Sequence, residues 1–147
     1  MKRFISSWIP VILWSMQIFI LSSMPNPADI LPRALVGFLW TTMIFGQRLF
    51  FLFGPVGHLI NFGVLAFLLL RALTWLKPVC RYNITFAFIL SFLYGISDEI
   101  HQLFVPSRAF QLRDMLINGL GALIGLAVYT WYDKTKIRRS QREALLL

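Results

Sequence analysis

The chain has 147 residues, 58% of them hydrophobic and only 14% charged, with a mean hydropathy of +0.71 and a net charge of +8. Soluble domains carry about a quarter charged residues, so this chain cannot coat a water-exposed surface, and its apolar excess must face lipid. The basic balance does not point to nucleic acid, because most Lys and Arg flank apolar runs; the lone Cys80 excludes a disulfide framework and a cysteine-based zinc site.

Phe4 to Met24 is an uncharged run of 21 residues behind Lys2 and Arg3. It is long enough to cross a hydrocarbon core of roughly 30 Å. A cleaved signal peptide is disfavoured, since the run exceeds an h-region of roughly 7–15 residues and no A-x-A site follows. Met24-Pro25-Asn26-Pro27 is expected to stop the helix, because proline has no amide donor and restricts its predecessor. Ala34 to Gly46 is apolar but only 13 residues long before Gln47-Arg48, so Ala34 to Phe53 is read as an interfacial or re-entrant segment. The second span runs from Val56 to Trp75, with Arg71 near enough to its end to snorkel. A third begins near Tyr82 or Asn83 and continues through Phe104, and a fourth covers Asp114 to Tyr132. The expected fold is therefore an all-α membrane protein, a bundle of four transmembrane helices over residues 1–132, followed by a basic cytoplasmic tail over 133–147, frayed or lying on the membrane surface.

Charge fixes the expected orientation. With both termini in the cytoplasm, the inner segments hold Lys2, Arg3, Arg71, Lys77, Arg81, Lys134, Lys136, Arg138, Arg139 and Arg142, ten of the fourteen basic residues. A fifth span would put the tail's cations outside, against the positive-inside tendency.

That topology gathers the uncommon polar residues at the outer end. His58 and Asn61 open the second span, Asp98 and Gln102 share one face of the third, and Asp114 and Asn118 share one face of the fourth. Asp98 stands roughly 22 Å up the core at about 1.5 Å per residue from Asn83. A carboxylate at mid-membrane costs about 2.5–3.5 kcal/mol on insertion scales and less toward the interface, so it is expected to face the protein interior. Arg108 and Arg113 in the outer loop are its available counter-charges, with His58 a third. The expected site is an outward-facing polar pocket of His58, Asp98, Glu99, Gln102, Arg108, Asp114 and Asn118. Some members have plainer readings: Glu99 can turn to headgroups or solvent, and His101 can be an interfacial histidine. Asp114 can be a first-turn acid favoured by the helix dipole, and Asn118 an interhelical hydrogen-bonding group. Gly121 and Gly125 form a small-xxx-small pair suited to close packing within the bundle.

The stretch Ser97 to Arg108, followed by Asp114, Asn118, Gly121 and Gly125, resembles the VanZ-like family. The family's pattern reads roughly D-E-x-x-Q-x-F-x-P-x-R, then D-x-x-x-N-x-x-G-x-x-x-G. It falls here on Asp98, Glu99, Gln102, Phe104, Pro106, Arg108 and the four residues just named, with His58 matching a histidine at the head of the second span. The Ser22-Ser23, then Pro25, ending of the first span is similar too. Departures are Gly54 and Pro55 for an Asp-Lys pair before the histidine, Phe62 for a Tyr after it, and Ser107 for a loop glycine.

The resemblance implies a cell-envelope role and a link to resistance against the glycopeptide teicoplanin. On this reading the partners are membrane lipids and, in the pocket, a lipid-linked cell-wall precursor or a lipoglycopeptide. No nucleic acid, no cofactor and no metal are expected. Three functions compete. The first is a non-enzymatic protein binding an amphiphilic ligand. The second is an intramembrane hydrolase or transferase, with Asp98, Glu99, Asp114 and His58 as acid and base or around a divalent metal. The third, a small transporter, lacks an inverted repeat or broken helices in its support.

Overall fold

A computed structural model describes residues 2–44, 46–75 and 79–145, the side chains of 2–4 and 138–145 excepted. Lys77, counted above among the inner cations, lies outside the described residues, as do the side chains of Lys2, Arg3, Arg138, Arg139 and Arg142. The helices are α1 (Lys2–Ser22), α2 (Arg33–Thr41), α3 (Leu49–Leu73), α4 (Arg81–Gln102) and α5 (Leu112–Leu145). Among the described residues, α1, α3, α4 and α5 are long and apolar enough to cross a membrane, so the protein is a multi-pass membrane protein.

The first helix ends where the prolines require it. Ser23 N–H still reaches Phe19 O at 3.0 Å, and then Asn26 caps a short 3-10 turn, Pro27–Ile30, by accepting from Ala28 N–H at 3.3 Å. The connection to the second span is a chain of small elements. Helix α2 buries none of its residues and leads into an antiparallel pair, β1 (Met43–Ile44) and β2 (Gln47–Arg48). Gly46 takes φ +76° in the turn between them, a conformation that favours glycine. The chain then enters α3 at Leu49, so Leu49 to Phe53, read above with the preceding segment, are the first turns of the second span. Trp40 stacks on Phe50 with centroids 4.6 Å apart and ties α2 to that start.

Helix α5 does not stop at Tyr132. Its backbone stays helical through Leu145 where a frayed tail was an expectation. The segment is rich in Lys, Arg, Gln, Glu and Ala, all good helix formers, so the exit from the apolar run changes the surroundings of the helix and not its conformation.

The core lies between α3, α4 and α5, built from Phe62, Leu65, Ala66, Leu69 and Leu70 of α3, Ala87 of α4, and Ala122 and Leu126 of α5. The closest pairing is α3 with α5. A Cβ on Gly125 would overlap the Gly63 carbonyl oxygen, and one on Gly121 would overlap that of Leu59. Lipid offers no hydrophobic drive between helices, so such backbone approach supplies the packing attraction. The residue pairs advance together, His58 with Asn118 and Gly63 with Gly125, so α3 and α5 run in the same direction with α4 antiparallel to both. Helix α1 joins this core through Val11 and Ile18 and adds polar links. Trp14 Nε1 donates to Asn61 O at 2.9 Å, and the Tyr94 hydroxyl donates to Ser15 O at 2.7 Å. The opposite helix faces expose Ile12, Leu13, Met16, Phe86, Leu93, Leu116 and Leu123, an apolar outer surface suited to acyl chains.

Candidate functional site

The glycine seam sets the site. By bringing the α3 and α5 backbones together it also brings together His58 and Asn118, one turn above it. His58 Nδ1 lies 3.0 Å from Asn118 Oδ1. An amide oxygen only accepts, so Nδ1 is the donor in this contact. The imidazole stacks nearly parallel to the ring of Phe62, one turn further along α3. Gly95 of α4 admits this arrangement, since a Cβ there would stand 3.2 Å from both Asn118 Cβ and Phe62 Cε1.

Two carboxylates complete this side. Glu99 is fully buried, and its Oε2 accepts from Gln111 N–H at 3.0 Å. Its other oxygen, Oε1, lies 3.9 Å from His58 Nδ1 and has no hydrogen-bond partner among the described residues. Asp114, in the first turn of α5 and also buried, accepts from Arg113 Nε through Oδ1 at 3.2 Å. Its Oδ2 lies 3.9 Å from His58 Nε2. One donor atom each from His58, Glu99 and Asp114 lies within 4.8 Å of the other two. Among the described residues, these are the three side chains grouped closely enough to hold a metal.

The remaining groups lie on the α1 side of His58. Asp98 is buried and accepts from Gln102 Nε2 at 3.2 Å, one helical turn on. Ser22 of α1, His58 and Arg108 are its neighbours on this side. Arg108 donates from Nε to Met24 O at 3.2 Å and from Nη2 to Leu21 O at 3.3 Å. It thereby closes carbonyls at the C-terminal end of α1, where a helix leaves them unpaired and where positive charge is favoured. Ser107, immediately before it, has φ +65°, the left-handed region that glycine occupies at no steric cost. The glycine usual in the resembling pattern thus answers a backbone requirement, and serine meets it under strain.

A chamber of about 240 Å³ lies between α1, the Pro27–Ile30 turn, α3 and α4. Its polar lining is His58, Asn61, Asp98, Gln102 and Arg108, and its apolar lining includes Ile18, Leu21, Phe50, Phe53 and Phe62. Pockets that enclose a drug-sized molecule run from about 300 to 1,000 Å³, so the space suits a headgroup, or part of a larger molecule.

All seven residues singled out for the pocket lie at one end of the bundle, but they form two adjoining groups. Asp98, Gln102 and Arg108 face the chamber; Glu99, Asp114 and Asn118 lie behind it; His58 touches both. Glu99 does not turn to headgroups or solvent. Helix α4 is covered on two sides here, by α1 and by the start of α5, so consecutive residues about 100° apart on the helix are both enclosed. His101 is partly exposed, 3.0 Å from Ser23 Oγ and against Phe19. Gly121 and Gly125 pack within the chain, against α3. Sequence reasoning missed Gly63, Gly95 and the Gln111 amide. Gly63 faces the Gly121–Gly125 pair and follows His58 by five positions, a spacing readable only once α3 and α5 are known to touch.

A family model described as VanZ/LLP1 matches residues 5–133. No curated protein and no solved structure gives a match.

Proposed function

The chain belongs to the VanZ/LLP1 family, and from that premise we propose that it is a cell-envelope protein that binds the polar end of an amphiphilic molecule in the chamber beside Asp98. The ligand class is a lipid-linked wall precursor or a lipoglycopeptide, and binding contributes to glycopeptide (teicoplanin) resistance. One observation carries this reading: His58, Asp98, Gln102 and Arg108 line the same chamber as Ile18, Leu21, Phe50 and Phe53. Such a space matches a molecule whose polar end and apolar part are joined, with Arg108 and the amides available to anionic or hydroxylated groups. We place both termini in the cytoplasm and the chamber on the outer side, supported by the distribution of basic residues. The VanZ name links the family to teicoplanin, an antibiotic that meets its target on that side.

A second reading, an intramembrane hydrolase or transferase, is favoured by His58, which Asn118 holds through Nδ1 and which stands beside the buried carboxylates of Glu99 and Asp114. Release of product from labelled envelope lipids by the purified protein would select it.

The binding reading is tested by growth of a susceptible host carrying the wild type or Asp98→Asn at equal membrane abundance, with teicoplanin and vancomycin side by side. Protection against teicoplanin by the wild type, lost in the variant, is the expected result. A wild type indistinguishable from the empty host, or a variant as protective as the wild type, overturns the reading.

A further inference from the structure

We infer that His58, Glu99 and Asp114 form a binding site for one divalent transition-metal ion, Zn²⁺ or Mn²⁺. The inference rests on how each side chain is held. His58 is fixed through Nδ1 by Asn118, Glu99 through Oε2 by the Gln111 amide, and Asp114 through Oδ1 by Arg113. In each case the far atom is tethered and a second donor atom is left over. For Glu99 that atom, Oε1, belongs to a fully buried side chain and has no hydrogen-bond partner among the described residues. Ligands held by an outer hydrogen bond, with the metal-facing atom free, are the usual architecture of metal centres.

The spacing separates a cation from a hydrogen-bonded cluster. Asp114 Oδ2 stands 3.9 Å from His58 Nε2, too long for a hydrogen bond, which runs about 2.7–3.2 Å, and suited to two ligands on one ion. With bonds of about 2.1 Å, two ligands stand at most about 4.2 Å apart, so the widest separation of 4.8 Å closes by about half an ångström on loading. Side-chain rotation suffices for that. The ligand chemistry selects the ion: one imidazole with two carboxylates suits Zn²⁺ or Mn²⁺, whereas Mg²⁺ and Ca²⁺ prefer all-oxygen sites. Charge agrees. Two buried carboxylates this close are costly unless compensated, and Arg113 supplies one positive charge from a side chain 63% exposed.

The site does not depend on the amphiphile reading. Asp98 is outside the ligand set, so Asp98→Asn, which tests that reading, is expected to keep the ion. The experiment uses full-length protein purified in detergent without a histidine tag, stripped with EDTA, and reloaded with Zn²⁺ or Mn²⁺. The expected result is one ion retained per chain after desalting, with affinity lowered at least tenfold by Glu99→Gln or His58→Asn and unchanged by His101→Gln. Electron-nuclear resonance on the Mn²⁺-loaded wild type should show coupling to a single imidazole nitrogen, a readout that needs no variant to fold. Failure of the wild type to retain an ion, binding unaffected by both ligand substitutions, loss through His101→Gln, or no nitrogen coupling would each overturn the inference.

Discussion

Gly125→Ala adds one methyl group where α3 and α5 meet backbone to backbone. The new Cβ would overlap the Gly63 carbonyl oxygen and stand 2.7 Å from its carbonyl carbon. Neither atom can swing aside as a side chain could, so the helices must separate. Overpacking of this kind costs typically about 1–3 kcal/mol. Opposing it is the gain from replacing glycine inside a helix, about 0.5–1 kcal/mol. The clash should win, leaving a net loss of about 0.5–2 kcal/mol, roughly two- to thirtyfold in the folding equilibrium. Gly37→Ala is the control: it makes the same chemical change in helix α2, where a Cβ meets nothing within 4 Å, so only the gain should appear. The assay is denaturation of both purified variants in mixed micelles by increasing SDS, followed by circular dichroism. A Gly125→Ala protein as resistant as Gly37→Ala would refute the close-packed seam.

Arg108→Lys keeps the charge but loses the planar fork that reaches two carbonyls of α1, so stability should fall by about 1 kcal/mol, and by more in Arg108→Ala; the same SDS titration measures both. Ser107→Gly should act in the opposite direction, raising stability by about 1 kcal/mol because the left-handed backbone there penalises a Cβ. An unchanged unfolding midpoint in Ser107→Gly would mean the loop relaxes to another conformation.

Much of this arrangement is legible in the residues because a bilayer leaves few choices. Apolar runs of the right length must be helices, and Asp98, too deep for solvent, had to face inward. The direction of Glu99 was harder to read. On a helix covered along one side it would point outward beside Asp98, and only the start of α5, folded back so that the Gln111 amide meets it, encloses the second side. The beginning of α3 was obscured for a different reason. Pro55 and two glycines, Gly54 and Gly57, look like a helix boundary in sequence, yet bilayer helices tolerate such residues, and α3 runs through all of them from Leu49. The long helical exit of α5 was hidden by polarity, which reports on the solvent a segment meets and says little about its backbone.

The seam between α3 and α5 has one more effect. Because main-chain atoms meet there, with no side chain between them to repack, the distance between the two helices acts as a ruler for whatever each carries nearby. His58 sits five positions from Gly63, and Asn118 three from Gly121, so the gap between imidazole and amide inherits that ruler's tolerance. A bulkier residue anywhere along the seam should therefore detune the histidine while the protein still folds and inserts.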